Sequence, residues 1–187
     1  MKIDGPKTYS NNPDFDHSLA VDLSKDQLDM IMDNTVVPCV DVLMIDSHKK
    51  ALLLAERTSR PAEGLWFVGG RIARDLDIES AAIAVVKRET GTDISPSKLG
   101  FLAVNRFAWD YRKFDPNKRG RVDVNFCYTY EPTDDELDHM RSRLTDDEYD
   151  ITKGIRPYTR KELEDFFAGS DTVNARVLLD YWDKLFN

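Results

Sequence analysis

Cysteine and histidine are scarce here, with two and three copies in 187 residues. Cys39 and Cys127 lie far apart and match no metal-ligand or redox spacing, so buried reduced thiols are expected. His17, His48 and His139 fall in a polar arm, a hairpin turn and an acidic helix, and none has a metal-like partner four residues on. All three are expected to be exposed and inert. No apolar run reaches the length that a membrane span needs, so no membrane partner is expected. The amino terminus shows no signal-peptide apolar core, and a cytoplasmic address is the expectation. Positive charge is also short. Lys and Arg number 26 against 34 Asp and Glu, a formal charge of −8. A nucleic-acid partner is not expected, because that role needs a cationic surface facing phosphates. What the chain does have is an ordinary globular balance, 41% hydrophobic and 32% charged residues, enough for one domain with short appendages. There is no internal repeat.

Residues 1–22 are polar and turn-rich and read as an N-terminal arm, with one domain over 23–187. Ser24-Lys-Asp-Gln opens a capping box, and Leu28, Ile31 and Met32 follow at helical spacing, predicting a helix over 24–33. Val36 to Ile45 is an almost continuous apolar strand with a single acid inside it, Asp41. A turn at 46–50 and a second strand at 51–55 make a hairpin over 38–56. Leu65 to Val68 reads as a short strand ending at Gly69-Gly70. Asp77 can cap a helix that runs to Thr90 and stops at Gly91. Strands are expected at 101–109 and 122–130. Acidic and amphipathic helices follow at 134–144, after Thr159, and at 174–186, where Val177, Leu178, Tyr181, Trp182 and Leu185 make the buried side. The order, three strands, a helix, two strands and then further helices, points to an α/β fold with a mixed sheet between helices.

The informative stretch is 51–94. A double glycine follows a strand, a loop carries Arg71 and Arg74, and a helix ends in Arg88-Glu89-Thr90-Gly91. An acidic chain that concentrates Arg57, Arg60, Arg71 and Arg74 around one glycine loop has a local basic pocket fit for a small anion. This pattern resembles the Nudix family, whose box is Gly, five residues, Glu, seven residues, Arg-Glu, an aliphatic, any residue, Glu-Glu, any residue, Gly. Counted from Gly70, the carboxylate positions hold Leu76, Val85, Arg88 and Glu89, the arginine position holds Ala84, and Gly91 closes the box. Residues three and four apart share a helix face, so a full set of box carboxylates could hold more than one hard cation. Here Glu89 alone remains, and one metal at most is expected.

Arg57-Thr-Ser-Arg-Pro-Ala-Glu-Gly-Leu-Trp-Phe-Val-Gly-Gly-Arg71-Ile72 is similar to the GDP-mannose mannosyl hydrolase branch of that family, which is itself degenerate in the box and keeps the last glutamate. The resemblance implies a Nudix α/β/α sandwich with a mixed β-sheet. It implies a Mg²⁺-dependent (or Mn²⁺-dependent) homodimeric hydrolase of a nucleoside diphosphate sugar, in which water attacks the anomeric carbon of the sugar. It implies one metal on the Gly69 carbonyl, Glu89 and a later-loop side chain, for which Glu148 is the match aligned from Leu144; alignment back from Thr159 would place Ile151 and Thr152 there. Arg57 and Arg71 match the arginines that contact the diphosphate, and Asp41 matches a sugar-binding aspartate.

The branch's basic histidine has no counterpart. Tyr149 stands in its place, and tyrosine, titrating near ~10, is a poor base at neutral pH; Asp147 or Asp150 could serve instead. Two other readings stay open. One is a catalytically inactive Nudix-like domain that binds a nucleotide-sugar or a protein partner. The other is ordinary Nudix pyrophosphate cleavage, against which the lost carboxylates argue. Trp109, Tyr111 and Phe114, beside Arg112 and Lys113, read as core packing with an exposed loop tip, or as a platform for a nucleobase.

Overall fold

A computed structural model of the chain describes residues 5–7, 23–112, 115 and 118–187. Helix α1 (Lys25–Asn34) begins at Ser24 with the full capping box. Strand β1 (Val36–Asp46) turns into β2 (Ala51–Arg57), and β3 (Gly64–Trp66) and β4 (Val68–Arg71) follow. Helix α2 (Ile78–Thr90) is capped by the Asp77 side chain and stopped by Gly91 at φ 68°. Strands β5 (Gly100–Trp109) and β6 (Arg121–Tyr130) pair next, then come α3 (Asp134–Arg143), β7 (Arg156–Tyr158), α4 (Arg160–Phe166) and α5 (Val173–Phe186). Thr133, Thr159 and Thr172 cap the last three helices, the last of them starting one residue before the expected place.

The sheet runs β3-β2-β1-β6-β5, with β4 on β1 and β7 on β2. β1 and β6 are parallel and the other pairs antiparallel, so the sheet is mixed as expected. Leu52, Leu53 and Leu54 of β2 are all buried because this strand is covered on both faces, which is why it reads as an unbroken apolar run. One face packs Val40, Val42, Met44, Val68 and Tyr128 against Ala82, Val85 and Val86 of α2 and Met140 of α3. The other packs Leu43, Leu52, Phe67 and Cys127 against Leu163 of α4 and Leu178, Tyr181 and Trp182 of α5. The result is an α/β/α sandwich. Both cysteines are buried and unbridged.

Two features depart from the sequence expectation. The strand read at 65–68 is two strands. β3 pairs with β2, and after Phe67 the chain crosses to pair with β1 as β4. The double glycine therefore lies inside β4 rather than past a strand end. β7 is an unforeseen addition: three residues show no alternation, and their partner lies about a hundred positions earlier. His17, Lys113, Phe114 and most of the arm assigned to 1–22 lie outside the described residues. Among the described residues no helix is long and apolar enough to cross a membrane.

Candidate active site

Alternation along β1 places the site. Val40 and Val42 face α2, so Asp41 turns to the opposite side with Leu43. On β6, parallel to β1, Asp123 and Asn125 stand two apart, in line with Cys127 of the second core. Here α1 covers the sheet and leaves a cavity of about 770 Å³. Its walls are Leu28, Ile31 and Met32 of α1, Cys39 and Asp41 of β1, Gly69, Gly70 and Arg71 of β4, Asp123 and Asn125 of β6, and Arg57, Arg60, Arg88 and Glu148.

Asp41 is buried and accepts a hydrogen bond from Asn125 Nδ2. Burial pushes its pKa up to about 7, against the opposing pull of Asn125 and the Arg57 charge. Gly69 lies directly across the ladder from Asp41. A Cβ at Gly69 would sit 1.9 Å from Asp41 Oδ1, so glycine here is what lets the carboxylate face the cavity.

Arg57 closes β2. Its Nη2 donates to Ser59 Oγ at 3.1 Å and to Glu148 Oε2, and its guanidinium lies over the Tyr149 ring at 5.6 Å. Its Nε is buried with no partner among the described residues, and the same holds for Asn125 Oδ1. Two groups at one cavity thus hold a spare donor and a spare acceptor. Glu148 and Asp150 are tied to the β2 strand by backbone bonds, Thr58 N to Glu148 O at 2.8 Å and Asp150 N to Glu56 O at 2.9 Å.

Glu89 is 1% exposed at the end of α2. Its Oε1 accepts from Arg88 Nη2 at 2.5 Å, and its Oε2 accepts from the Tyr149 hydroxyl. Burial raises the Glu89 carboxyl above its ordinary range, with both hydrogen bonds opposing. Burial, with the Glu89 charge beside it, holds Tyr149 well above a tyrosine's normal value. The same Arg88 Nη2 also donates to the Gly69 carbonyl at 3.1 Å. The ligand set implied by the resemblance therefore fits a metal poorly. Gly69 O and Glu89 are bridged by a guanidinium, and Glu148 is turned to Arg57. Among the described residues no three His, Cys, Asp or Glu side chains are placed to hold an ion.

The expected residues divide as follows. Asp41, Arg57, Gly69, Arg71 and Glu148 line one cavity. Glu89 touches its edge through Arg88. Tyr149 is 2% exposed and spent on Glu89, which suits a positioning role rather than that of a base. Asp150 is outside the cavity lining, its carboxylate bonded to Thr152 and paired with Lys153. Arg60 joins the cavity and stacks on Tyr111 at 4.8 Å, while Arg74 is not part of its lining. Trp109 packs in the core and donates to Asp123 Oδ2 at 3.0 Å. Arg112, expected near a loop tip, is 4% exposed; it pairs with Asp33 at 2.7 Å and so ties α1 to the sheet. Sequence reading passed over Asp123 and Asn125. Polar side chains at alternate positions of an otherwise apolar strand were the available signal.

The NUDIX domain family model matches residues 35–171. Among solved structures, NrtR of Shewanella oneidensis is 17% identical, with a TM-score of 0.52 over 79% of this chain and 61% of that one. A MutT/nudix family protein from Enterococcus faecalis is 18% identical, with a TM-score of 0.45 over 74% of this chain. The chain spans 57% of the length of that protein. The Ap4A hydrolase of C. elegans is 13% identical, with a TM-score of 0.46 over 82% of this chain and all of that one. The family match covers most of the described fold, including β1, the glycine pair, α2 and Glu148, and the chain belongs to the Nudix family.

Proposed function

We propose that the cavity takes a nucleoside diphosphate sugar and that the chain hydrolyses it. The observation that carries this reading is the pairing of polar groups at one cavity: Arg57 with a spare buried Nε, beside Asp41 and an Asn125 whose Oδ1 is unused. A guanidinium donates in a planar fork that suits phosphate oxygens. A carboxylate next to an amide offers acceptors and donors to vicinal hydroxyls. The cavity is within the usual size range for sites that enclose a small ligand.

Arg57, Arg71 and Arg88 hold the diphosphate, and Asp41 with Asn125 holds the sugar. Water attacks the anomeric carbon, the bond from that carbon to the diphosphate oxygen breaks, and the proton lost by the water passes to the departing diphosphate or to solvent. The charge that develops on the departing diphosphate falls among these guanidinium groups, in a cavity that α1 helps to line. The resemblance of 51–75 to the GDP-mannose branch supports GDP-mannose as the first substrate to try. Binding without turnover is the second reading. The closed environments of Tyr149 and Glu89 favour it, since neither presents a free base to the cavity.

The test is NMR of the full chain with GDP-mannose, following the anomeric carbon and the phosphorus signals together. Free mannose with intact GDP is the expected result. GMP with mannose phosphate would replace it with pyrophosphate cleavage, shifted ligand signals without products would favour the binding reading, and unchanged spectra would remove GDP-mannose as the substrate.

A further inference from the structure

Divalent cations such as Mg²⁺ or Mn²⁺ are general to the family. Here a side chain stands between two atoms that the resemblance assigns to the ion. Arg88 Nη2 donates to Gly69 O at 3.1 Å and to Glu89 Oε1 at 2.5 Å. Two further observations make this a built arrangement. Gly70 leaves the space: a Cβ there would sit 2.6 Å from Arg88 Nη2. Tyr149, held beside Arg57 by a backbone bridge, fixes the second oxygen of Glu89 so that the first is aimed at Arg88.

We propose that Arg88 occupies the place of the divalent cation, so that the site carries its own fixed positive charge and binds its anion without a metal. A divalent ion entering here would have to expel a guanidinium from a nearly buried carboxylate, or sit against it at contact distance. Like charges at contact distance repel, and more strongly beside a buried carboxylate than in bulk water. Arg88 also lines the cavity, and its side chain is 56% exposed, so the cation that bridges Gly69 and Glu89 is presented to a ligand as well. The guanidinium thus replaces the ion both as structural bridge and as partner for an anion. The choice of a diphosphate as that anion rests on the function proposed above; the occupation of the ion's place by Arg88 does not.

The first experiment uses Mn²⁺ alone, titrated into the full chain and read by electron paramagnetic resonance. The native chain is expected to bind no stoichiometric ion in the micromolar range. Arg88→Glu supplies a carboxylate and removes the guanidinium, and it is expected to gain Mn²⁺ affinity by at least tenfold and to lose it again when combined with Glu89→Gln. Arg88→Ala is the second variant. It frees the same oxygens without adding charge and is expected to gain a weaker site; circular dichroism checks that both variants fold. Stoichiometric Mn²⁺ on the native chain that disappears in Glu89→Gln would overturn the proposal, and so would failure of both folded variants to gain the ion. The second experiment measures GDP binding by calorimetry with Mg²⁺ and with EDTA. Affinities within twofold of each other are expected, and a tenfold loss in EDTA would overturn the proposal. No GDP binding in either buffer would count against the proposed function, and the Mn²⁺ titration would still decide the role of Arg88.

Discussion

The Tyr149 hydroxyl donates to Glu89 Oε2 across sixty positions of sequence, and both groups are almost fully buried. That bond joins the end of α2 to the segment that follows α3 and sets which way the Glu89 carboxylate faces. Tyr149→Phe keeps the ring and its packing but leaves one carboxylate oxygen without its donor in a dry site. A buried acceptor so orphaned costs about 1–3 kcal/mol, more when it is charged. Urea denaturation at neutral pH is expected to show that loss. In a Glu89→Gln background the further cost of Tyr149→Phe should shrink, because the strongest acceptor is already gone.

Arg57 and Glu148 make a second test, because Glu148 competes for the same guanidinium that the proposed function assigns to a diphosphate. Arg57→Ala is expected to weaken GDP binding at least tenfold, which is about 1.4 kcal/mol. Glu148→Gln removes the competing charge and is expected to strengthen GDP binding severalfold. A loss of affinity in Glu148→Gln would instead support a metal-ligand role for that residue. Calorimetry on the two variants reads both outcomes.

Asp41 gives a pH dependence whose sign is fixed. Burial raises its pKa from 3.8 in the unfolded chain to about 7 in the folded one. A carboxyl with a raised native pKa is more protonated when folded, so its contribution is fully present below pH ~4 and fades as pH rises through about 7. Each pKa unit is worth about 1.4 kcal/mol. Asp41→Asn keeps an acceptor for Asn125 and removes the titration. Relative to the native chain, the variant is expected to gain about 2 kcal/mol of stability between pH 5 and pH 8, measured by urea unfolding at each pH.

The parts of this fold that were legible in the sequence are those governed by local rules. Ser24, Asp77 and Thr159 announce helices because capping needs a side-chain oxygen at a fixed offset, and Gly91 ends α2 because a left-handed residue is needed there. The basic pocket was legible for a similar reason, since Arg57, Arg60 and Arg71 flank one short loop. What escaped depends on pairing at a distance. The parallel register of β1 with β6 brings Asn125 to Asp41 from 84 positions away, and nothing local encodes it. The split of 65–68 at Phe67 escaped because β3 and β4 differ in partner strand rather than in residue type. Arg88 was visible as a cation next to Glu89. That it also reaches Gly69 follows only from how α2 packs over β4, where Gly70 leaves room.

The adjacent glycines of β4 should respond differently to the same added methyl group. At Gly69 a Cβ would meet Asp41 Oδ1 at 1.9 Å and the Val40 carbonyl at 2.9 Å. The first obstacle is a short buried side chain and the second is backbone of the central strand, so neither can move aside. Overpacking of this kind costs typically 1–3 kcal/mol and sometimes more, and Gly69→Ala is expected at or above the upper end. Asp41→Ala should recover only part of the loss, because the Val40 carbonyl remains. At Gly70 the obstacle is the tip of Arg88, a flexible chain with solvent beside it. Gly70→Ala is expected to cost about 1–3 kcal/mol, because the guanidinium is pushed off Gly69 O and leaves one oxygen of the buried Glu89 carboxylate without its donor. If Arg88 supplies the cation for the bound anion, that change in stability should come with a GDP affinity at least fivefold weaker. A Gly70→Ala protein that binds GDP as well as the native chain would show that the bridge is structural only. Thermal unfolding and calorimetry on the two single variants separate packing from charge at neighbouring positions of one strand.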